Sequence, residues 1–170
     1  RSMESTDRIF NMMGIKKNIV NQVDALHPEN LKKEICFKDV SFSYNKDEKL
    51  FDDFNMTIPY GSSIGIVGDT GSGKSTIAKL LLRLYDPNSG VISIGATPID
   101  KIDISFLRNH MGIVNQNSFL FNATIKDNIS YGLKNIDMNK IEEAARQSQA
   151  MEFIEKFSNG FKTMIGERGQ

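Results

Sequence analysis

The amino-acid sequence predicts an α/β fold, and three observations support that prediction. Strand-like and helix-like patterns alternate through the middle of the chain, whereas helical spacing dominates after Asn117. A glycine-rich loop lies between a continuous apolar run, Ile64–Val67, and a segment with helical spacing. The 170 residues are 39% hydrophobic and 25% charged, which is ordinary for a globular protein and argues against disorder.

The first third of the chain predicts a helix, a linker and then paired strands. Residues 3–13 carry apolar side chains at helical spacing, and residues 14–33 have the polar composition of a linker. From Glu34 to Ile58, apolar and polar residues alternate in two segments, as in neighbouring strands of an antiparallel sheet. The alternation slips at Asp39–Val40, which predicts a β-bulge in the first strand.

The rest of the chain predicts a buried core followed by helices. Two apolar runs, Ile64–Val67 and Met111–Val114, have the composition of strands that are buried on both faces. The other predicted elements are a helix at 74–84, a strand at 91–94, a short helix at 104–107 and helices at 125–129 and 141–154.

Charge and cysteine usage exclude several classes of protein. The 21 basic residues balance the 21 acidic ones, and proteins that grip nucleic acid by its phosphates usually carry a basic excess, so we predict no nucleic-acid partner. The neutral total leaves room for a local basic patch. The single cysteine, Cys36, excludes an internal disulfide and a cysteine-cluster zinc site.

The strongest motif is the glycine-rich loop, which fits G-x-x-x-x-G-K-[ST] with a predicted strand before it and a predicted helix after it. Glycines let successive backbone N–H groups converge on an anion, and the helix adds its positive end. Lys74 suits the β- and γ-phosphates, the Ser75 hydroxyl suits Mg²⁺, and Thr76 adds a hydroxyl near the α-phosphate. The strand and helix context disfavours a plain glycine-rich turn. The predicted phosphate site comprises Gly68, Asp69, Thr70, Gly71, Ser72, Gly73, Lys74, Ser75 and Thr76.

This loop defines a P-loop NTPase, a class that includes transporters, kinases, GTPases and repair ATPases. Five segments narrow the class by their order: Phe42–Tyr44, Gly68–Thr76, Val114–Gln116, Phe119–Ile129 and Ile165–Gly169. That order resembles the nucleotide-binding domain of ABC transporters, above all the exporter branch that includes P-glycoprotein, and the resemblance covers residues 34–169. It implies a P-loop NTPase core with an N-terminal antiparallel β-subdomain and the start of an α-helical subdomain.

The resemblance assigns roles to residues outside the loop. Tyr44 corresponds to the aromatic residue that stacks on adenine, the alternative being a strand-end tyrosine packed on the core. Leu50 falls at an apolar position of the adenine pocket. Gln116 corresponds to the glutamine that ligates Mg²⁺ and couples nucleotide state to the membrane domain. Glu167 and Arg168 lie in the motif that, in exporters, approaches the coupling helices of the opposite half.

The family pattern also implies a domain organisation. Residues 1–33 form the helix and linker that follow a transmembrane domain, and residues 34–116 form the β-subdomain and P-loop half of the ATPase core. Residues 117–165 form a helical subdomain, and residues 166–170 stop before the family's signature motif. The strand that carries the Walker B aspartate would lie beyond Gln170, so we expect an exposed apolar edge at the run Ile64–Val67.

The resemblance implies ATP and Mg²⁺ as ligands. It implies three further properties of the parent protein: a second nucleotide-binding domain in a dimer sandwich, a transmembrane domain in the same chain, and a membrane-associated domain on the cytoplasmic or matrix-like side. We assign no catalytic residue within the 170 residues, and expect this chain alone to bind nucleotide without hydrolysing it.

Two alternatives remain open at this point. One is a soluble ABC-type ATPase of DNA repair or chromosome organisation, although residues 117–165 lack the sustained heptads of the coiled coils in those proteins. The other is a non-catalytic ATP-binding module.

Overall fold

A computed structural model describes residues 19–45, 48–115, 119–133 and 136–166. The chain divides into two compact units at Gly112, and each unit is described by itself. The predicted helix at 3–13, Gln116, Glu167 and Arg168 lie outside the described residues. Within the described ranges, no helix is both long enough and apolar enough to span a bilayer.

A four-stranded antiparallel sheet organises the first unit. Its strands are β1 (Ile35–Asn45), β2 (Glu48–Ile58), β3 (Ser89–Ile94) and β4 (Thr97–Pro98). They lie in the order β2-β1-β3-β4. β1 is central, because Phe37 pairs with Met56 of β2 on one side and with Ile92 of β3 on the other. The predicted antiparallel β-subdomain is therefore confirmed.

The predicted bulge in β1 is also present. The register shifts between Phe37 and Val40, and Asp39 adopts a positive φ of 49°. An extra residue reverses the inward-outward alternation of a strand. Phe37, Val40 and Phe42 are consequently all buried, although Phe37 and Val40 are three residues apart.

Among the described residues of the first unit, two α-helices cover the sheet's core: α1 (Lys74–Leu81) and α2 (Ile104–Asn109). Ile77 and Leu80 of α1 are buried in the same cluster as the inward residues of β1. The helix ends three residues earlier than predicted, because Arg83 takes a left-handed conformation with φ 48°. The buried Arg83 side chain donates to the carboxylate of Asp86 and to backbone carbonyls of residues 99, 100 and 102.

The described part of the predicted linker is held against the first unit. Leu26 forms a bridge with Ile102, in which the Leu26 N–H donates to the Lys101 carbonyl at 2.7 Å. The side chain of Asn21 accepts from the Ile104 N–H at 2.8 Å and donates to Asp103. The polar composition that predicted a linker supplies the groups that anchor it.

The two apolar runs predicted as buried strands are not strands, and that prediction is wrong for this chain. Ile64–Val67 and Met111–Val114 pair with no other strand among the described residues. Val67 and Val114 are each 96% exposed. A strand needs a partner for its backbone N–H and C=O groups, and the described sheet offers these runs none. The exposed apolar edge expected at Ile64–Val67 is present.

The second unit consists of short helices around a small core. Its described elements are β5 (Ala123–Thr124), α3 (Ile125–Ile129), α4 (Met138–Gln147), α5 (Met151–Ile154), a 3-10 helix at Gly160–Lys162 and β6 (Met164–Ile165). β5 pairs antiparallel with β6, and Ile125, Ala145 and Ile154 form the buried cluster. The predicted helix at 141–154 is divided into two, because Gln149 between α4 and α5 has a positive φ of 61°.

Candidate nucleotide-binding site

The glycine-rich loop reaches α1 through two left-handed glycines. Gly71 and Gly73 have φ angles of 88° and 90°, a region that side chains with a Cβ rarely adopt. A Cβ atom on Gly73 would also lie 2.6 Å from the ring of the buried Phe51. Sterics therefore explain the last glycine of the motif, because it lets the loop pass directly over the core of the sheet.

The loop's backbone amides are largely unused. Of the residues from Gly68 to Ser75, only Ser72 donates a backbone hydrogen bond to another described residue, to the carbonyl of Asp69 at 3.2 Å. The remaining N–H groups precede and open α1, where the helix dipole adds positive potential. Unpaired N–H groups of this kind favour an anionic ligand, as the sequence motif predicts.

The Lys74 side chain folds back over this loop. Its ammonium donates to the carbonyls of Gly68 at 2.7 Å and Asp69 at 2.6 Å. The charge is therefore held beside the free amides. A phosphate oxygen offers the ammonium a charged acceptor in place of neutral carbonyls, and charge-assisted hydrogen bonds are the stronger ones.

A cavity of about 550 Å³ opens beside the loop, and most of the predicted site residues line it. Those that do are Tyr44, Leu50, Thr70, Gly71, Gly73, Lys74, Ser75 and Thr76. Gly68 and Ser72 line a neighbouring groove of about 500 Å³, and Asp69 contributes its carbonyl to Lys74. Gln116, Glu167 and Arg168 lie outside the described residues.

Tyr44 stands at one wall of this cavity in an aromatic group. Its ring meets Phe42 and Tyr85 nearly at right angles, with centroids 4.9 and 5.1 Å apart. Its hydroxyl lies 2.9 Å from the hydroxyl of Thr76 on α1. Tyr44 remains 44% exposed, so the ring is supported from one side and still accessible.

Four residues of the lining were missed by sequence reasoning: Asn45, Glu48, Lys49 and Lys79. Lys79 could have been found, since it lies three residues after Thr76 and helical residues at that spacing share a face. With Lys74, the cavity has three lysines and one glutamate, but the ammonium of Lys49 is paired with the carboxylate of Asp52 at 3.0 Å. Lys74 and Lys79 supply the remaining positive charge, which suits a polyphosphate although the whole chain is neutral.

A larger cavity in the same unit, about 810 Å³, is a weaker candidate. Its two arginines are already engaged. Arg83 donates to Asp86 and to carbonyls, while Arg108 donates to the carbonyls of Leu82 at 2.9 Å and Arg83 at 2.7 Å. These cations close the end of α1 and leave little charge for a ligand.

An antiparallel sheet beside a loop of free amides, a lysine and a half-exposed tyrosine defines a nucleotide-binding protein of the P-loop class. The sequence model of the family described as "ABC transporter" matches residues 51–167. The chain therefore belongs to the ABC transporter family.

Individual relatives place the chain beside exporter-type members of that family. It is 42% identical over 159 residues to ABC transporter B family member 15 of Arabidopsis thaliana. This match covers 89% of this chain and 13% of the relative. It is 38% identical over 169 residues to the ATP-dependent lipid A-core flippase of Saccharophagus degradans, covering 99% of this chain and 28% of the relative.

A solved structure supports the same placement. The chain matches the structure of a bacterial Atm1-family ABC exporter with ATP bound, with a TM-score of 0.88 and 33% identity. The match covers 98% of this chain and 30% of the exporter chain. The chain thus corresponds to part of an exporter-type nucleotide-binding domain, and spans less than a third of the length of these relatives.

Proposed function

We propose that this chain is the ATP-binding portion of an ABC exporter, where it binds Mg-ATP to power transport of a substrate across a membrane. The observation that carries the proposal is the loop from Gly68 to Ser75, whose free amides and Lys74 lie beside the cavity that Tyr44 lines. Amides and an ammonium suit a triphosphate, and an aromatic ring suits a base.

Each group has a separate task in binding. The loop amides and the ammonium of Lys74 hold the phosphates, while Tyr44 stacks on the adenine ring and Leu50 adds apolar contact on the same side. Thr76 lines the same cavity with its hydroxyl 2.9 Å from that of Tyr44, and the loop motif assigns this hydroxyl to the α-phosphate. The two ends of the cavity thus match the two ends of a nucleotide.

The residues present also fit a magnesium ion that enters with the nucleotide. Ser75 lines the cavity directly after Lys74, and its hydroxyl oxygen is a ligand that Mg²⁺ accepts. Gln116 is the second ligand that the family pattern assigns. The ion supplies positive charge that neutralises the phosphate oxygens.

The remaining functions belong to the parent protein. We propose that it hydrolyses ATP, that two nucleotide-binding domains form a sandwich around the nucleotides, and that a transmembrane domain lies in the same chain. This places the domain at a membrane, on its cytoplasmic or matrix-like side, with Glu167 and Arg168 near the coupling helices. The exporter similarity supports this assignment over a soluble repair ATPase.

Calorimetric titration of the full chain with ATP and Mg²⁺ tests the proposal. We expect Lys74→Ala to weaken ATP binding about a hundredfold, because it removes charge-assisted hydrogen bonds. We expect Tyr44→Ala to weaken it about tenfold or more through lost stacking. Lys101→Ala is the matched control, since Lys101 is exposed and lies outside the cavity lining. Equal ATP affinity in Lys74→Ala and wild type would refute the assignment.

A further inference from the structure

Three polar side chains are in hydrogen-bond contact at the wall of the cavity that Tyr44 forms, and two of them belong to α1. The Lys79 ammonium lies 3.3 Å from the hydroxyl oxygen of Tyr44, which lies 2.9 Å from the Thr76 hydroxyl oxygen. Thr76 is only 4% exposed, and a buried hydroxyl needs a hydrogen-bond partner because water cannot reach it. Lys79 lies outside the phosphate-loop motif, and the proposed function gives it no role.

The chemistry of lysine sets the direction of the first hydrogen bond. An ammonium has three protons and no acceptor, so the Tyr44 oxygen must accept from Lys79. Thr76 Oγ1 lies 2.9 Å from the same oxygen, and either of the two hydroxyls can be the donor. The Tyr44 hydroxyl is therefore held by two partners on α1.

The same contacts fix the ring of Tyr44. Lys79 and Thr76 hold its hydroxyl, while Phe42 and Tyr85 contact its ring nearly at right angles. A side chain that is already held in one orientation loses less conformational entropy when a ligand stacks on it. A tyrosine without these contacts would have to be ordered at the moment of binding.

We propose that Lys79 is a positioning residue of the nucleotide site, which acts on base binding through the Tyr44 hydroxyl rather than by contacting phosphate. This inference rests on the proposed function, because it assumes that Tyr44 faces the base. It assigns Tyr44 a requirement for its hydroxyl as well as its ring. Phenylalanine would supply the stacking surface without the anchored orientation.

The test is a double-mutant cycle on the full chain, with calorimetric titration of Mg-ATP and of inorganic tripolyphosphate, which has no base. We expect Lys79→Met and Tyr44→Phe each to weaken Mg-ATP binding about three- to tenfold, the size of one hydrogen bond. The double variant should bind no more weakly than Tyr44→Phe alone, because Tyr44→Phe already removes the acceptor that Lys79 uses. Lys79→Arg, which keeps a donor, should restore most of the affinity. Tripolyphosphate affinity should fall less than Mg-ATP affinity in these variants, because the contact acts only on base binding, whereas the charge lost in Lys79→Met acts on both ligands.

The outcomes separate this inference from the proposed function. Additive losses would mean that Lys79 does not act through the Tyr44 hydroxyl, and an equal loss for tripolyphosphate would mean that it acts on phosphate. Either result would overturn the inference. Normal affinity in Lys79→Met would overturn it as well. Failure of the wild-type chain to bind Mg-ATP, with Lys74→Ala unchanged, would instead overturn the proposed function. Lys101→Met is the matched control, and equal melting temperatures would show that the variants are folded.

Discussion

β1 and the run Ile64–Val67 both carry apolar side chains, but only β1 buries them. β1 lies between two partner strands and buries Phe37, Val40 and Phe42. The run Ile64–Val67 pairs with no strand among the described residues and leaves Val67 almost fully exposed. The difference lies in hydrogen-bond partners and not in hydrophobicity, because β1 contains polar residues and the run contains none.

The comparison shows that a strand has two requirements, burial of its apolar side chains and pairing of its backbone groups, and that a hydrophobic pattern indicates only the first. An apolar run shows that burial would be favourable, but a strand forms only where its backbone groups find partners. β2 follows β1 within a few residues, so the first pairing is local. A parallel strand needs partners from distant parts of a chain, since each crossover takes a dozen residues or more.

The largest expected effect comes from placing a charge in each region. Val40→Asp should destabilise the first unit by about 3 to 5 kcal/mol, because it buries an unpaired carboxylate. Val67→Asp should change stability by about 0.5 kcal/mol or less, because its side chain stays in water. Chemical denaturation monitored by circular dichroism measures both. Equal losses would show that Val67 is buried in solution.

Amide hydrogen exchange should reveal the same contrast without substitutions. Backbone amides around Phe37 and Ile92 are paired in the sheet, so we expect them to exchange at least about a hundredfold more slowly than those of residues 64–67. Mass spectrometry of peptides from each segment measures the rates. Strong protection of residues 64–67 would indicate a pairing that the described sheet lacks.

The next effect concerns the glycine-rich loop that follows the run Ile64–Val67. Gly73→Ala should cost about 2 kcal/mol or more, because it combines a left-handed φ with a clash against Phe51. Gly71→Ala is the control, since it has a similar φ but no atom within 4 Å of the added Cβ. It should cost about 1 kcal/mol. Equal losses of stability for the two variants in thermal unfolding would show that the clash with Phe51 does not contribute.

The smallest effect concerns the anchored linker. Asn21→Ala should destabilise the first unit by about 1 kcal/mol, because it leaves the Ile104 N–H at the start of α2 without its acceptor. Gln22→Ala removes a single exposed contact with Asp100, so a change below about 0.5 kcal/mol is expected. A thermal melt of each variant measures the difference in stability between them. An unchanged stability in Asn21→Ala would show that this contact does not hold the linker against the first unit.

The part of the candidate site that lies in one short segment could be predicted from the sequence. The loop motif fixes which residues offer amides, an ammonium and a hydroxyl, because all of them lie within nine consecutive positions. Glu48, Lys49 and Lys79 join the cavity only because β2 and α1 face each other across it. No local pattern encodes that approach, since it depends on how the sheet twists under the helix.

The sequence alone predicts the bulge at Asp39, the strand pairs around it and the phosphate-loop motif, because alternation and glycine placement act within a few residues. Only the folded chain shows that Arg83 ends α1 in a left-handed turn, that the linker is anchored at Asn21, and that Ile64–Val67 lies exposed. Each of those outcomes depends on groups supplied, or not supplied, by distant segments of the chain, and hydrophobic periodicity carries no information about such partners.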